Sequence, residues 1–369
     1  MKRAAAAAIS LMTGLAMLTG CSRAEVEETI QPLVADAIEE SDSEAEAVKE
    51  EDESPLIPEI DTDIKIHAGS RIAVVSKCVK GEYWKMVKKG MEDAVKAIND
   101  AYGFKKDDQI TMTFEGPDNE EDVESQINTI DAVIAENPDV LCISASDMDS
   151  CEAQLEAAKE NGIPVIAFDS NVAEKKLVKA YRGTDNVQVG KMAAYQLGSA
   201  LGKMGKVAVF SAQQKTKSVQ DRVEGFMNNI GKYGDIEVVE TIYSDQVDDM
   251  EASMKEVLEK YPTLDGVFCT NADITEMYLN LEKSDEHDAP ALVGVDATTK
   301  QQEAIRNGEE IGCVSQQPYA MGYQTIWAAV ETTAPKKSVV IEKNVLSNPA
   351  WIDADCLDDP DYSGYLYTE

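Results

Sequence analysis

The side chains with the most chemistry fall at one recurring place, just beyond short runs of apolar and β-branched residues. Ser76 and Lys77 follow RIAVV, and Tyr83 and Trp84 open the helical pattern after it. Asp169, Ser170 and Asn171 follow IPVIAF, and Arg222 sits in QDRVEGF beyond KVAVF. Asn271 ends VFCTN, Asp296 ends LVGVD, and Gln316 follows CVS. Carboxylates, amides and a guanidinium offer paired donors or acceptors, which suits vicinal hydroxyls that both donate and accept. Aromatic faces can cover the C–H side of a ring that water would otherwise wet. The set describes a site for a small polyol such as a monosaccharide. Taken singly, an Asp after a strand also serves as a helix cap, and Tyr-Trp on an amphipathic helix also serves as core. The joint pattern across several run ends carries the reading.

Catalysis is not expected. His67 lies in a polar lead-in and His287 in an acidic loop, where both read as solvated. There is no GxSxG, HExxH or GxxxxGK[ST] pattern and no glycine-rich phosphate loop after the first run. No cofactor or metal is expected either. Cys78, Cys142, Cys151, Cys269, Cys313 and Cys356 lack CxxC spacing, and four of them sit in strand-like runs, which reads as buried thiols. A disulfide stays open in an exported protein, with no pairing readable.

The elements that must position these residues alternate. Strand patterns cover 71–76, 109–115, 140–144, 163–168, 206–210, 236–243, 266–270, 291–295 and 311–315. Helical patterns fall between them at 83–102, 121–136, 151–161, 187–201, 219–233 and 250–261. Asn161-Gly162 and Asn307-Gly308 stand where helices should stop. Such alternation builds an α/β fold of parallel sheet with helices on both faces. The chain is too long for one comfortable core, and the run splits near Gly183, so two doubly wound lobes are expected. Ligands of such sheets bind outside the carboxyl ends of the strands, where the polar set lies.

The N-terminus is not read as fold. Lys2 and Arg3, the apolar stretch Ala4 to Leu18 and Leu18-Thr19-Gly20-Cys21 read as residues 1–21 of a lipoprotein export signal, with acylation expected at Cys21. The apolar stretch falls short of the ~20 residues a membrane span needs. Residues 22–64 are acidic and nearly free of aromatics, so they read as an extended tether. The formal net charge of −35 excludes nucleic acid as a partner, because phosphate binding needs an excess of Lys and Arg.

From Arg71 to about Gln317 the chain resembles the pentose- and hexose-binding periplasmic proteins of ABC importers, the ribose-, galactose- and xylose-binding group of type I periplasmic binding proteins. The segments that carry it are RIAVVSKCVKGEYWKMVKKGMEDA, NGIPVIAFDSN, RGTDNVQVGKMAAYQL, VQDRVEGF, VFCTN, LVGVD and CVSQQP. The resemblance implies Tyr83 and Trp84 as an aromatic pair, Asp169 and Asp296 as paired carboxylates, Arg222 as a guanidinium clamp, Asn271 and Gln316 as amides, and Ser76 as a strand-end serine. Three positions depart from the ribose pattern. Ser170 replaces an arginine, Gln246 lies where an aromatic is common, and Lys77 resembles the lysine of autoinducer- and rhamnose-binding relatives. The resemblance also implies a hinge of three crossings, near Thr184, Gln316 and Leu346. That gives lobe one as 65–184 plus 317–345 and lobe two as 185–316 plus 346–369. It implies a monomer, lipid-anchored on the extracytoplasmic face of the membrane, that hands a sugar or related polyol to ABC permease subunits. A sensor lipoprotein presenting its ligand to a chemoreceptor or kinase is the other role this family resemblance implies.

Overall fold

The computed structural model describes residues 57–281, 289–335 and 339–368. The export signal with Cys21, residues 22–56 of the expected tether, and His287 lie outside the described residues.

In lobe one, β1 (Arg71–Val75), α1 (Gly81–Tyr102), β2 (Thr111–Glu115), α2 (Val123–Ala135), β3 (Val140–Ile143), α3 (Glu152–Glu160), β4 (Val165–Phe168) and β5 (Ala180–Thr184) follow one another. Lobe two then runs through α4 (Asn186–Ala200), β6 (Met204–Ser211), α5 (Lys217–Ile230), β7 (Asp235–Tyr243), α6 (Met250–Lys260), β8 (Gly266–Cys269), α7 (Ala272–Leu279), β9 (Ala291–Val295), α8 (Thr299–Asn307) and β10 (Gly312–Ser315). The chain returns with α9 (Pro318–Glu331) and β11 (Asn344–Ser347), and crosses once more to β12 (Ala350–Ile352).

The two sheets have matching strand orders, β11-β5-β4-β3-β1-β2 and β12-β10-β9-β8-β6-β7. All pairs are parallel except β10 with β12. Alternation along each strand explains why both faces are covered. On β1, Ile72 and Val74 enter one apolar cluster while Ala73 and Val75 enter another. On β6, Ala208 and Phe210 go one way and Val207 and Val209 the other. A strand buried on both faces reads as a continuous apolar run, which is why these were visible in the sequence.

Caps fix where the helices begin. The side chains of Asp122, Asp185, Asn271 and Thr298 accept the amides of Ser125, Gln188, Ile274 and Gln301 at the starts of α2, α4, α7 and α8. The expected stops at Gly162 and Gly308 take left-handed backbone with φ of 76° each. Close approach of α4 to α5 depends on two glycines. A Cβ at Gly190 would lie 1.9 Å from the Arg222 carbonyl oxygen, and one at Gly225 2.2 Å from that of Val187. Their absence of side chain sets the seat of the helix that carries Arg222.

Two boundaries shift from expectation, and three strands were not expected. Leu346 and Ser347 pair with Gly183 and Thr184 inside the lobe-one sheet, so lobe one runs to Ser347 and not to 345, and the crossing expected near Leu346 falls just after Ser347. Ile60 and Ile64 pack on the lobe-one core, and the Tyr102 hydroxyl donates to the carbonyls of Asp61 (2.9 Å) and Ile64 (2.7 Å). Residues 57–64 therefore belong to the folded body and not to a tether. Strands β5, β11 and β12 went unread because AYRGT, NVLS and AWI offer neither a β-branched run nor a clear alternation. No disulfide joins the described cysteines.

Candidate functional site

The matching strand orders put equivalent strands at equivalent depths, and the two strand-end aspartates occupy corresponding places. Asp169 follows β4 and Asp296 follows β9, each strand third in its sheet. Both residues have positive φ, 55° and 79°, a conformation a non-glycine residue adopts at a cost of order 1–3 kcal/mol and which clusters at functional sites. Each carboxylate is turned inward and almost fully buried.

Around Asp169, the Tyr83 hydroxyl donates to Oδ1 at 2.7 Å and the Ser144 hydroxyl to Oδ2 at 2.8 Å. Lys77 Nζ stands 3.0 Å from Oδ2 and 3.5 Å from Glu120 Oε2, over the Trp84 ring at 5.6 Å from its centroid. Burial alone would raise the Asp169 carboxyl, but Lys77, Tyr83 and Ser144 outweigh it and hold it below its ordinary value. Burial likewise works against the Lys77 ammonium, yet Asp169 and Glu120 raise it above its ordinary value. The charged pair is the stable form from both sides. Trp84 donates Nε1–H to Glu120 Oε1 at 2.7 Å, and Tyr83 meets Trp84 edge to face at 5.1 Å.

Around Asp296, Oδ1 accepts from Gln316 Nε2 at 2.7 Å and from the Tyr367 hydroxyl at 2.9 Å, while Oδ2 accepts from the Ala272 amide at 3.0 Å. Arg222 is anchored by Nε to Asn186 Oδ1 (2.8 Å) and by Nη1 to the Thr270 carbonyl (2.7 Å). Asn271 spends Oδ1 on its own helix cap, which orients the amide.

These two clusters face each other across a cavity of about 760 Å³. Lys77, Tyr83, Trp84, Asp169, Arg222, Asn271, Asp296 and Gln316 all line it. Ser76, Ser170, Asn171 and Gln246 do not. Ser76 Oγ donates to the carbonyls of Cys78 (2.8 Å) and Glu115 (3.2 Å), sealing the ends of β1 and β2. Ser170 pairs with Ser218 of the other lobe at 2.7 Å. Asn171 Oδ1 accepts the amide of Val172, and Gln246 lies exposed against Gln214. Sequence reasoning missed four lining or flanking residues: Glu120, Asp273, Glu276 and Tyr367. The acids gave no signal in so acidic a chain, and Tyr367 lies in the non-periodic C-terminal segment.

The lobes also touch directly. Thr216 Oγ1 donates to the Ser146 carbonyl at 2.6 Å and the Met148 amide to the Lys215 carbonyl at 3.1 Å. At the mouth, Glu82 Oε2 accepts the Thr299 amide at 2.8 Å, so a lobe-one carboxylate meets the N-terminus of α8.

Residues 72–337 match the family model described as a periplasmic binding protein domain. The ribose import binding protein RbsB of Bacillus subtilis is 26% identical over 220 residues, 60% of this chain and 71% of that one. An ABC transporter solute-binding protein from Agrobacterium vitis, solved with D-fucose, is 26% identical with a TM-score of 0.73, covering 81% of this chain and 100% of its own. Another from the same organism, solved with alpha-D-tagatopyranose, is 24% identical with a TM-score of 0.74 and the same coverage. A model matching most of the chain, on a two-lobed fold whose polar strand ends converge on one cavity, makes this chain a member of the periplasmic binding protein family, a family of binding proteins and not of enzymes.

Proposed function

We propose that this protein is the solute-binding component of an ABC importer and captures a sugar in the cavity between its lobes. The observation that supports it best is the convergence of Lys77, Tyr83, Trp84 and Asp169 from one sheet with Arg222, Asn271, Asp296 and Gln316 from the other. The relatives add to this, since RbsB is a ribose import protein and the Agrobacterium vitis proteins hold D-fucose and tagatopyranose. Two acids with most lone pairs already engaged, a buried guanidinium and amides can order a ring of hydroxyls, while Tyr83 and Trp84 take its apolar edge.

Capture works by closure about the three crossings, two of which lie side by side at Thr184 and Ser347, whose hydroxyls are 3.4 Å apart. Contacts made only when the lobes meet, such as Thr216 to Ser146 and Thr299 to Glu82, supply the differential free energy that a ligand-driven closure requires. The test is a thermal-shift and calorimetric screen of the fragment from Ile57 onward with ribose, allose, xylose, fucose, tagatose and xylitol. A saturable shift with at least one of them is expected, at micromolar Kd or tighter, about −8 kcal/mol. No shift with any saccharide or polyol removes the reading.

Anchoring is the second part of the proposal. The Leu18-Thr19-Gly20-Cys21 sequence supports acylation at Cys21 and retention on the extracytoplasmic face of the membrane. Cys21→Ser is expected to move the protein from the membrane pellet to the soluble fraction, and a variant that stays in the pellet contradicts the anchor.

A further inference from the structure

The C-terminal segment reaches the binding site with its backbone on one lobe and a side chain in the other. After β12 it forms a short 3-10 stretch, Pro360–Tyr365, and is then tied to the ends of β9 and β10. Ser315 Oγ donates to the Tyr365 carbonyl at 2.5 Å, the Tyr367 amide to the Ala297 carbonyl at 3.0 Å, and Gln302 Nε2 to the Tyr367 carbonyl at 2.8 Å. These partners all belong to lobe two. The Tyr367 ring does not follow its backbone: it is 1% exposed and lies in the lobe-one apolar cluster with Tyr83 and Trp84.

Tyr83 and Tyr367 stand in matching relation to the two strand-end aspartates. Tyr83 donates its hydroxyl to Asp169 Oδ1 at 2.7 Å, and Tyr367 donates its own to Asp296 Oδ1 at 2.9 Å. The two rings meet at 5.9 Å between centroids, tilted by 54°. Burial, and then the adjacent carboxylate, push both phenols well above their ordinary value, so each keeps its proton and stays a donor. A continuous path thus runs from the Asp169 carboxylate through the two rings to Asp296, and it crosses from lobe one to lobe two at the ring contact. Glu82, next to Tyr83 on α1, makes its own crossing to the Thr299 amide at 2.8 Å. The first turn of α1 meets lobe two at two adjacent points, one polar and one aromatic.

We infer that Tyr367 is a positioning residue of the binding site and a latch on its closed form. Its hydroxyl aims the Asp296 carboxylate, and its ring, seated against Tyr83, holds the two ligand-facing carboxylates in register while the lobes are together. A tyrosine that served only to fill the lobe-two core would turn its ring into that core, and this one is turned out of it. Hinge opening separates the Tyr367 backbone, which moves with lobe two, from Tyr83, which moves with lobe one. The ring contact therefore exists only with the lobes together, and two aromatic faces return to water when they part. A free-energy difference between the two arrangements is what shifts the balance between them. Loss of the hydroxyl acts on Asp296 alone, whereas loss of the ring acts on closure. The inference rests on the sugar-binding reading above and adds the residue that couples its two acids.

Two variants separate these roles: Tyr367→Phe keeps the ring and removes the hydroxyl, and Tyr367→Leu removes both. The full-length protein is studied by calorimetry and stopped-flow dissociation with ribose, allose, xylose, fucose, tagatose and xylitol. For whichever of the six binds the parent protein most tightly, Tyr367→Phe is expected to weaken affinity by no more than roughly threefold and Tyr367→Leu by about tenfold. Most of the Tyr367→Leu loss is expected as faster dissociation, with association within about twofold of the parent, because the ring contact forms only after the lobes have met. A side chain that merely packs leaves the dissociation rate where it was. Tyr367→Leu releasing sugar at the parent's rate, or losing no more affinity than Tyr367→Phe, overturns the inference and leaves sugar capture intact. If Tyr367→Leu melts too low to assay, Gln302→Ala takes its place: it loosens the segment at the Tyr367 carbonyl without entering the core, and is expected to speed release at least twofold, with an unchanged rate overturning the latch. If none of the six binds the parent, the sugar reading falls, and the latch is judged by small-angle scattering without ligand. There Tyr367→Leu, or Gln302→Ala in its place, is expected to be more expanded than the parent, and superimposable curves overturn the inference.

Discussion

Asp169→Ala is expected to cost about 3–5 kcal/mol of stability and to weaken sugar binding by well over tenfold. Three donors end on this carboxylate, from Tyr83, Ser144 and Lys77, and it is 4% exposed. Removing it leaves the buried Lys77 ammonium with only Glu120, at 3.5 Å. An uncompensated buried charge is the expensive outcome, more so than the loss of any one hydrogen bond. The left-handed φ of 55° would remain, now with no network to hold it. Asp169→Asn separates the contributions, because it keeps the shape and accepts from at most one side while losing the charge. Its pH profile gives an independent readout. The carboxyl is held below its ordinary value in the folded protein, so its contribution is present above the unfolded carboxyl's range near pH 4 and fades as pH falls through the lower folded value. Denaturant midpoints at pH 3 and pH 7 should therefore differ less in Asp169→Asn than in the parent. Unchanged midpoints and unchanged affinity in both variants would show that Asp169 neither holds the fold nor meets the ligand.

Much of this architecture was legible because it is built from runs with one physical requirement. Strands such as β1 and β6 are buried on both faces, so they must be apolar throughout, and the polar residue that ends each one stands out. Asp169 and Asp296 were visible for that reason. The neighbours were harder, since a residue one position along a strand end faces elsewhere. Ser76 and Ser170 flank the right places, yet one locks two strand ends together and the other bridges to Ser218. Gln246 ends a single 3-10 turn after β7, Ser244–Gln246, which leaves its side chain exposed against Gln214. The acids of the lobe-two wall were invisible for a different reason: with 69 Asp and Glu against 34 Lys and Arg, one more carboxylate carries no information until its neighbours in space are known. Tyr367 needed the tertiary fold outright, because only the return of the C-terminal segment brings its hydroxyl to Asp296.

Trp84→Ala carries the second large effect, and it separates two roles of one side chain. Trp84 is 4% exposed, sits in the lobe-one core beside Phe168, and lines the cavity. Truncation to alanine removes a buried aromatic and leaves a void, for which about 3–5 kcal/mol is expected. It also strips Glu120 of its Nε1–H donor and Lys77 of the ring face beneath it. Sugar affinity should fall by more than tenfold, since both the apolar wall and the position of the Lys77–Glu120–Asp169 network depend on it. Trp84→Phe keeps most of the packing and removes only the N–H donor and the outer ring, so its stability loss should stay below about 1.5 kcal/mol. If the network matters to binding, the Phe variant still loses affinity severalfold while melting close to the parent. If Trp84 is core and nothing more, affinity in Trp84→Phe will match the parent. Emission gives the same answer without a stability correction: Trp327 and Trp351 lie away from the cavity lining, so a ligand-dependent change in tryptophan fluorescence should vanish in Trp84→Phe. Its persistence there would move the ligand away from this wall.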